Sequence, residues 1–188
     1  MQANLGTKLH QLIGGDEYKD IHVLSGHGGL DQYVKSVNVM EVPDVIDWVS
    51  EGELILTTAY SIREDIEMLN DLIPRLKAKR VAGMAIKVKR YIEDIPESVI
   101  ETSNREDFPL LTLPIEVAFG DLMAKLLMKI LNRQTDLLLE MDRFNNNVKD
   151  IMLRGGDLHE ITKMMAELTK TPLAITEDIF NDYVVVAD

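Results

Sequence analysis

Residues 53–88, ELILTTAYSIREDIEMLNDLIPRLKAKRVAGMAIKV, decide the fold. The stretch opens on Glu53–Thr58, apolar and β-branched enough for a strand, and closes on Val81–Val88, a second run of the same texture. Between them Ile66, Leu69, Ile73 and Leu76 recur at the spacing of one helix face. Ser61 and Glu64 stand at capping-box spacing, so the helix is expected from about Arg63. Pro74 has no N–H and crowds the turn before it, which predicts a kink or a split. Strand, helix and strand in succession make the unit from which parallel sheets are assembled.

Upstream, a short helix near Thr7–Leu12 stops at Gly14-Gly15, a pair suited to a left-handed cap. His22–Ser25 reads as the first strand, Gly26-His27-Gly28-Gly29 as a turn, and Lys35–Met40 as the second strand. Downstream, Pro96 opens a helix through about Ser103, and Leu110–Leu113 between Pro109 and Pro114 is the fifth strand. Strand and helix alternate throughout. The expected class is α/β, a mainly parallel sheet with flanking helices, followed by a long coiled-coil-like helix and a partial second domain.

From Ile115 to Arg154 no proline interrupts the chain, and Gly155-Gly156 ends the run. Met123, Leu127, Ile130, Gln134, Leu137, Met141, Phe144, Val148 and Ile151 step by alternating fours and threes, the spacing of a coiled-coil seam and thus of a homodimer. The alternative is an amphipathic helix laid on its own α/β domain, a role that fits its first turns, where Leu122 and Leu126 widen the stripe. Asp157 is placed to cap a following helix, and Pro172 leads into a strand, turn and strand that end at Asp188. Two strands cannot bury both their faces, so the tail reads as the start of a domain cut through. The expected organisation is 1–114 for the α/β domain, 115–156 for the connector and 157–188 for the partial domain.

The chemistry that composition excludes is as informative. With no cysteine among 188 residues there are no disulfides, thiolate metal sites or cysteine nucleophiles. A net charge of −12 repels a phosphate backbone, so these residues are not expected to grip DNA. No long apolar run and no basic-then-apolar leader mark a membrane span or a secretory signal, and the chain reads as cytoplasmic. His10, His22, His27 and His159 lie far apart and lack partners at metal-ligand spacing, so neither a metal nor another cofactor is expected. The glycine turn at 26–29 lacks the Lys-Ser/Thr ending of a phosphate loop, and Ser25, Ser36, Ser50 and Ser61 lack a nucleophile-elbow context. Glu41, Asp44, Asp47, Glu51 and Glu53 crowd one window, but in so acidic a chain solvated loops and caps explain them, and the chain is not read as an enzyme. Asp44 would cap a short turn through Trp48, itself expected in the core or at its rim.

Ligands of open parallel sheets sit beyond the carboxyl ends of the strands. Those ends carry Glu41 and Asp44 after the second strand, Thr57, Thr58 and Tyr60 after the third, Lys87 after the fourth and Pro114 after the fifth. Hydroxyls, carboxylates and an ammonium suffice to recognise a small polar molecule. The competing reading is that Thr57 and Thr58 merely finish a strand and Lys87 is solvated.

The run Gly29–Ile62, GLDQYVKSVNVMEVPDVIDWVSEGELILTTAYSI, resembles the signature stretch of PucR-type (purine catabolism regulator) N-terminal domains. Its Gly-Leu-Asp, Glu-x-Pro-Asp and Gly-Glu-Leu-x-Leu-Thr-Thr elements are carried by Gly29, Leu30, Asp31, Glu41, Pro43, Asp44, Gly52, Glu53, Leu54, Leu56, Thr57 and Thr58. The resemblance continues through VAGMAIKV and FPLLTLP to about residue 130, and departs where Pro74 falls inside a family helix and Tyr60 replaces a frequent glycine. Beyond residue 155 the chain is similar to the start of a GAF-like sensory domain. The resemblance implies a bacterial transcription regulator of purine or related nitrogen catabolism, with a metabolite effector and with DNA read by a C-terminal domain absent here. Two roles stay open for these residues: a metabolite sensor, or a purely structural dimerisation module.

Overall fold

Leu54 to Thr57 and Gly83 to Lys87 are buried at every position, so both faces of the sheet that contains them must be covered. The computed structural model describes residues 6–15, 18–40, 42, 46–169, 171–176 and 183–186. Its elements are β1 (Thr7–Lys8), α1 (Leu9–Ile13), β2 (His22–Ser25), β3 (Tyr33–Val34), β4 (Ser36–Met40), β5 (Glu53–Thr57), α2 (Leu69–Ala78), β6 (Gly83–Lys87), α3 (Glu97–Arg105), β7 (Leu110–Leu113), α4 (Phe119–Leu153), α5 (Leu158–Thr169), β8 (Leu173–Thr176) and β9 (Tyr183–Val186). The main sheet has the order β2-β7-β6-β5-β4. Its pairs β4–β5, β5–β6 and β6–β7 are parallel, and edge strand β2 runs antiparallel to β7 with a bulge between Val23 and Ser25. The fold is therefore α/β with a mainly parallel sheet, as its sequence pattern indicates.

Successive side chains of a strand point to opposite faces. Ile55, Met84, Ile86 and Leu110 accordingly join one core with Leu69, Ile73 and Leu76 of α2 and Val99 of α3. Leu54, Leu56, Ala85, Leu111 and Leu113 join the other with Leu9 and Leu12 of α1 and Leu122, Leu126 and Ile130 of α4. The first turns of α4 thus cover the sheet of their own domain. The chain divides into two compact units, residues 1–135 and 136–188. In the second, α5 is followed by the antiparallel pair β8–β9, and Asp157 Oδ1 accepts the Glu160 N–H at 3.0 Å, which caps α5.

Several local expectations are corrected. Ser61 and Glu64 do not form a capping box: Tyr60–Ile62 and Ile66–Met68 are tight 3₁₀ turns, α2 starts only at Leu69, and the buried Ser61 hydroxyl makes no hydrogen bond. Pro74 does not split α2, which runs through it while Ile73 and Leu76 stay buried against the sheet. Gly14 is extended and Gly15 has φ +125°, so α1 lacks a left-handed cap. A side chain does that work instead, because Lys129 of α4 donates to the Leu12 and Gly14 carbonyls, both at 3.0 Å, from above the Tyr18 ring. Trp48 lies neither in the core nor at its rim and is 76% exposed.

The glycine turn at 26–29 has a packing role. Gly26 adopts φ +70°, and a Cβ there would meet the Phe108 carbonyl oxygen at 2.0 Å, so no other residue fits between this turn and the start of β7. Beside it Ser25 Oγ donates to Ser103 Oγ at 2.8 Å, and Ser103 Oγ donates to the Phe108 carbonyl at 2.7 Å. The Gly26 N–H donates to Asn104 Oδ1 at 2.8 Å. These bonds pin β2, α3 and β7 together through otherwise apolar surroundings.

Candidate functional site

Parallel pairing of β4, β5, β6 and β7 brings their carboxyl ends to one edge of the sheet. At that edge lies a cavity of about 310 Å³ lined by Met40, Thr58, Tyr60, Arg90 and Tyr91. Thr58 and Tyr60 were expected there from the sequence. Glu41 and Asp44 lie outside the described residues.

Thr57 and Thr58 have separate jobs. The buried Thr57 hydroxyl donates to the Met40 carbonyl at 3.1 Å and accepts the Ala59 N–H at 3.0 Å, fastening the end of β5 to that of β4. Thr58 is half-buried on the cavity wall, and its hydroxyl accepts the Tyr60 N–H at 3.4 Å. Between them Ala59 has φ 57°, a left-handed conformation that disfavours any Cβ and here turns the chain sharply so that Tyr60 stands at the cavity. Arg63 braces this turn from outside, donating to the Tyr60 carbonyl at 2.7 Å, lying 4.0 Å from the ring centroid and bonding Glu64.

Lys87 is neither solvated nor on the cavity wall. At 4% exposure it donates from Nζ to the Val117 carbonyl and lies 4.6 Å from the Phe119 ring centroid. Burial pushes its pKa down, nearby Arg90 pushes the same way, and Glu116 opposes them. Lys87 thereby ties β6 to the segment that leads into α4, which begins at Phe119 rather than at Ile115.

Sequence reasoning passed over Arg90 and Tyr91. They sit in the loop after β6, which Lys89 closes with φ 65° and an N–H donated to the Ile92 carbonyl at 2.8 Å. Lys89 Nζ holds Glu93 at 3.3 Å and Asp94 at 3.2 Å, and these bonds raise its pKa, the Asp94 bond first. The loop's carboxylates are thus engaged by Lys89. Arg90 lies 5.1 Å from the Tyr91 ring centroid, and Tyr91 meets Tyr60 edge to face at 4.8 Å. The signal was the basic-aromatic run Lys89-Arg90-Tyr91 directly after an apolar strand.

The acidic window does not form a single site. Glu51 is held by Lys35 at 2.8 Å and Arg80 at 3.4 Å, with its pKa lowered chiefly by the Lys35 hydrogen bond. Glu53 accepts from Asn38 Nδ2 at 3.2 Å, at the amino end of β5 and thus the far edge of the sheet from the cavity. Asp47 is exposed. Among the described residues no group of three or more His, Asp or Glu side chains is placed to hold a metal ion. No described helix is long and apolar enough to cross a membrane.

Along α4, Leu127 is half-buried and Ile130 buried within the first unit's core. Gln134, Leu137, Phe144 and Val148 are half-buried, Met141 is exposed and Ile151 is buried in the second unit. Met128, Leu131, Leu138 and Leu139 are exposed as well, a large apolar surface for one helix. A groove in the second unit, with Asp150, His159 and Lys163 on its walls, is crossed by an Arg154–Glu160 ion pair at 3.1 Å.

Comparison with known proteins yields a family match over residues 11–130, to the purine catabolism regulatory protein-like (PucR) family. The purine catabolism regulatory protein of Bacillus subtilis (strain 168) is 28% identical over 160 residues, which is 85% of this chain and 30% of that protein. The transcriptional activator PmfR of Paenarthrobacter nicotinovorans is 27% identical over 89 residues, 47% of this chain and 19% of that protein. The chain spans less than a third of the length of either relative.

Proposed function

Because the chain belongs to the PucR family of regulators, we propose that it is the signal-receiving and dimerising N-terminal region of a cytoplasmic bacterial transcription regulator of purine or related nitrogen catabolism. A small metabolite binds in the cavity at the strand carboxyl ends. Its occupancy shifts a two-state arrangement of paired α4 helices, and DNA is read by a part of the regulator outside these 188 residues. The observation that carries this reading is the cavity walled by Thr58, Tyr60, Arg90 and Tyr91, where ligands of parallel sheets bind. The charge of −12 supports placing DNA contact elsewhere, and the relatives' names support the regulatory role and the purine pathway. The apolar surface of α4, continued by Leu137, Met141, Phe144 and Val148, supports a helix-paired homodimer. The tail from α5 onward is the start of a sensory domain of GAF type.

A thermal-shift screen of this chain against purine bases and their ring-opened breakdown products tests the sensor, since selective binding to the folded state raises its melting temperature. A saturable shift that Tyr60→Ala abolishes supports it. The second reading, a structural dimerisation module without a ligand, is favoured by the same exposed α4 surface and predicts no shift with any compound. Under both readings Leu137→Glu/Met141→Glu yields monomers in light scattering, because charges at seam positions are left desolvated and unpaired. A dimeric variant at micromolar concentration refutes the seam.

A further inference from the structure

We infer that the cavity at the strand carboxyl ends takes a flat organic monoanion, a carboxylate on a planar frame, with Arg90 as its charge partner and Tyr60 and Tyr91 as its walls. This inference rests on the cavity being a ligand site at all. Its starting point is how the loop after β6 distributes charge. The nearby acids Glu93 and Asp94 are bonded to Lys89, whereas Arg90, beside the Tyr91 ring and repelled by Lys87, has no carboxylate partner among the described residues. Arg63, the other guanidinium nearby, is engaged by the Tyr60 carbonyl and Glu64. One arginine in a chain of net charge −12 is thus left facing a cavity with no carboxylate among its described lining residues.

The form of the anion follows from the donors. A guanidinium presents a planar fork that matches the two oxygens of a carboxylate, and the Tyr91 ring, its centroid 5.1 Å away, attracts that cation. Lys87 lies close enough for Arg90 to disfavour its charge, but its Nζ is bonded to Val117 away from the cavity wall. It supplies field without contact. One contacting cation suits a single negative charge. A phosphate dianion calls for more donors, commonly an α-helix N-terminus or several backbone N–H groups, and among the described lining residues none begins an α-helix. The volume of about 310 Å³ lies at the small end for ligand pockets. The Tyr60–Tyr91 pair at 69° offers an aromatic face to the ligand frame, and the Thr58 hydroxyl can donate to a second polar atom.

The test is isothermal titration of the 188-residue chain with benzoate, its neutral isostere benzamide, and phenyl phosphate. Benzoate is expected to bind saturably and at least about tenfold more tightly than benzamide or phenyl phosphate, a difference of the size that one charge-assisted bidentate contact provides. Arg90→Gln should remove that preference without lowering the unliganded melting temperature, since Arg90 is exposed, and Tyr91→Leu should weaken benzoate and benzamide alike. Equal binding of benzoate and benzamide, tighter binding of phenyl phosphate, no binding of benzoate, or an unchanged preference in Arg90→Gln would each overturn the inference. If a purine-related compound shifts the protein in a Tyr60-dependent but Arg90-independent manner, the sensor stands and the monoanion assignment falls. If nothing binds, both fall.

Discussion

Replacing Ser103 by alanine should cost more stability than replacing Ser25 and Ser103 together. Both hydroxyls are buried, Ser25 at 1% and Ser103 at 0% exposure, and they form a directed chain from Ser25 Oγ to Ser103 Oγ to the Phe108 carbonyl. Ser25→Ala removes one donor and leaves Ser103 still bonded to Phe108, at a cost of about 0.5–1 kcal/mol. Ser103→Ala strands both the Ser25 hydroxyl and the Phe108 carbonyl, at about 2–3 kcal/mol, because each unsatisfied buried group bears its own desolvation penalty. The double variant strands the carbonyl alone, at about 1–2 kcal/mol. Amide hydrogen exchange of the buried strands β5 and β6, which lie within residues 1–135, reads the stability of the α/β unit. The expected order of destabilisation is Ser25→Ala, then the double variant, then Ser103→Ala. Additive single effects, or a Ser103→Ala variant within about 0.3 kcal/mol of the parent, would refute the claim that this chain of hydrogen bonds pins β2 to α3 and β7.

Three further outcomes follow from other contacts. Ala59→Gly should change stability by less than about 0.5 kcal/mol in urea unfolding, as relief of the left-handed backbone offsets loss of a buried methyl, whereas Ala59→Val should cost more than about 2 kcal/mol. Lys129→Met keeps the stem but loses two bonds to the end of α1, so amide exchange in Leu9–Ile13 should rise about tenfold while β5 and β6 are unaffected. For Lys87 the folded-state pKa lies below the ordinary 10.5, so the unfolded chain binds more protons between those two values and parental stability rises with pH there. Denaturation of the parent and of Lys87→Met across that window should show the difference moving in the parent's favour, and a flat difference would contradict the burial of a charged Lys87.

Much of this fold is legible in the sequence because its strands are apolar on both faces and its helices are not. Glu53–Thr58, Val81–Val88 and Leu110–Leu113 announce buried parallel strands, and the structure places β5, β6 and β7 within those bounds. The reversal of β2 is not legible, because strand direction depends on long-range pairing with β7, and His22–Ser25 would look the same in either sense. The capping box at Ser61 misleads for a related reason: the left-handed turn at Ala59 diverts the chain into 3₁₀ turns before a helix can start. At the candidate site, position relative to strand ends identifies Thr58 and Tyr60 but cannot say which way a side chain points. Thr57 and Lys87 are drawn into backbone hydrogen bonds, while Arg90 and Tyr91, three and four residues past Lys87, take the cavity wall.

If a small molecule is received at the carboxyl edge of the sheet, as proposed, the residues there must respond to it. Amide chemical shifts of the isotope-labelled chain, recorded while titrating the strongest binder from the thermal-shift screen, report that response residue by residue. Saturable perturbations are expected in Thr58–Arg63 and Lys89–Ile92, with β1 and β3 unaffected. Perturbations centred instead on the groove residues between Asn147 and Glu167 would contradict the proposal and move reception of the signal to the second unit.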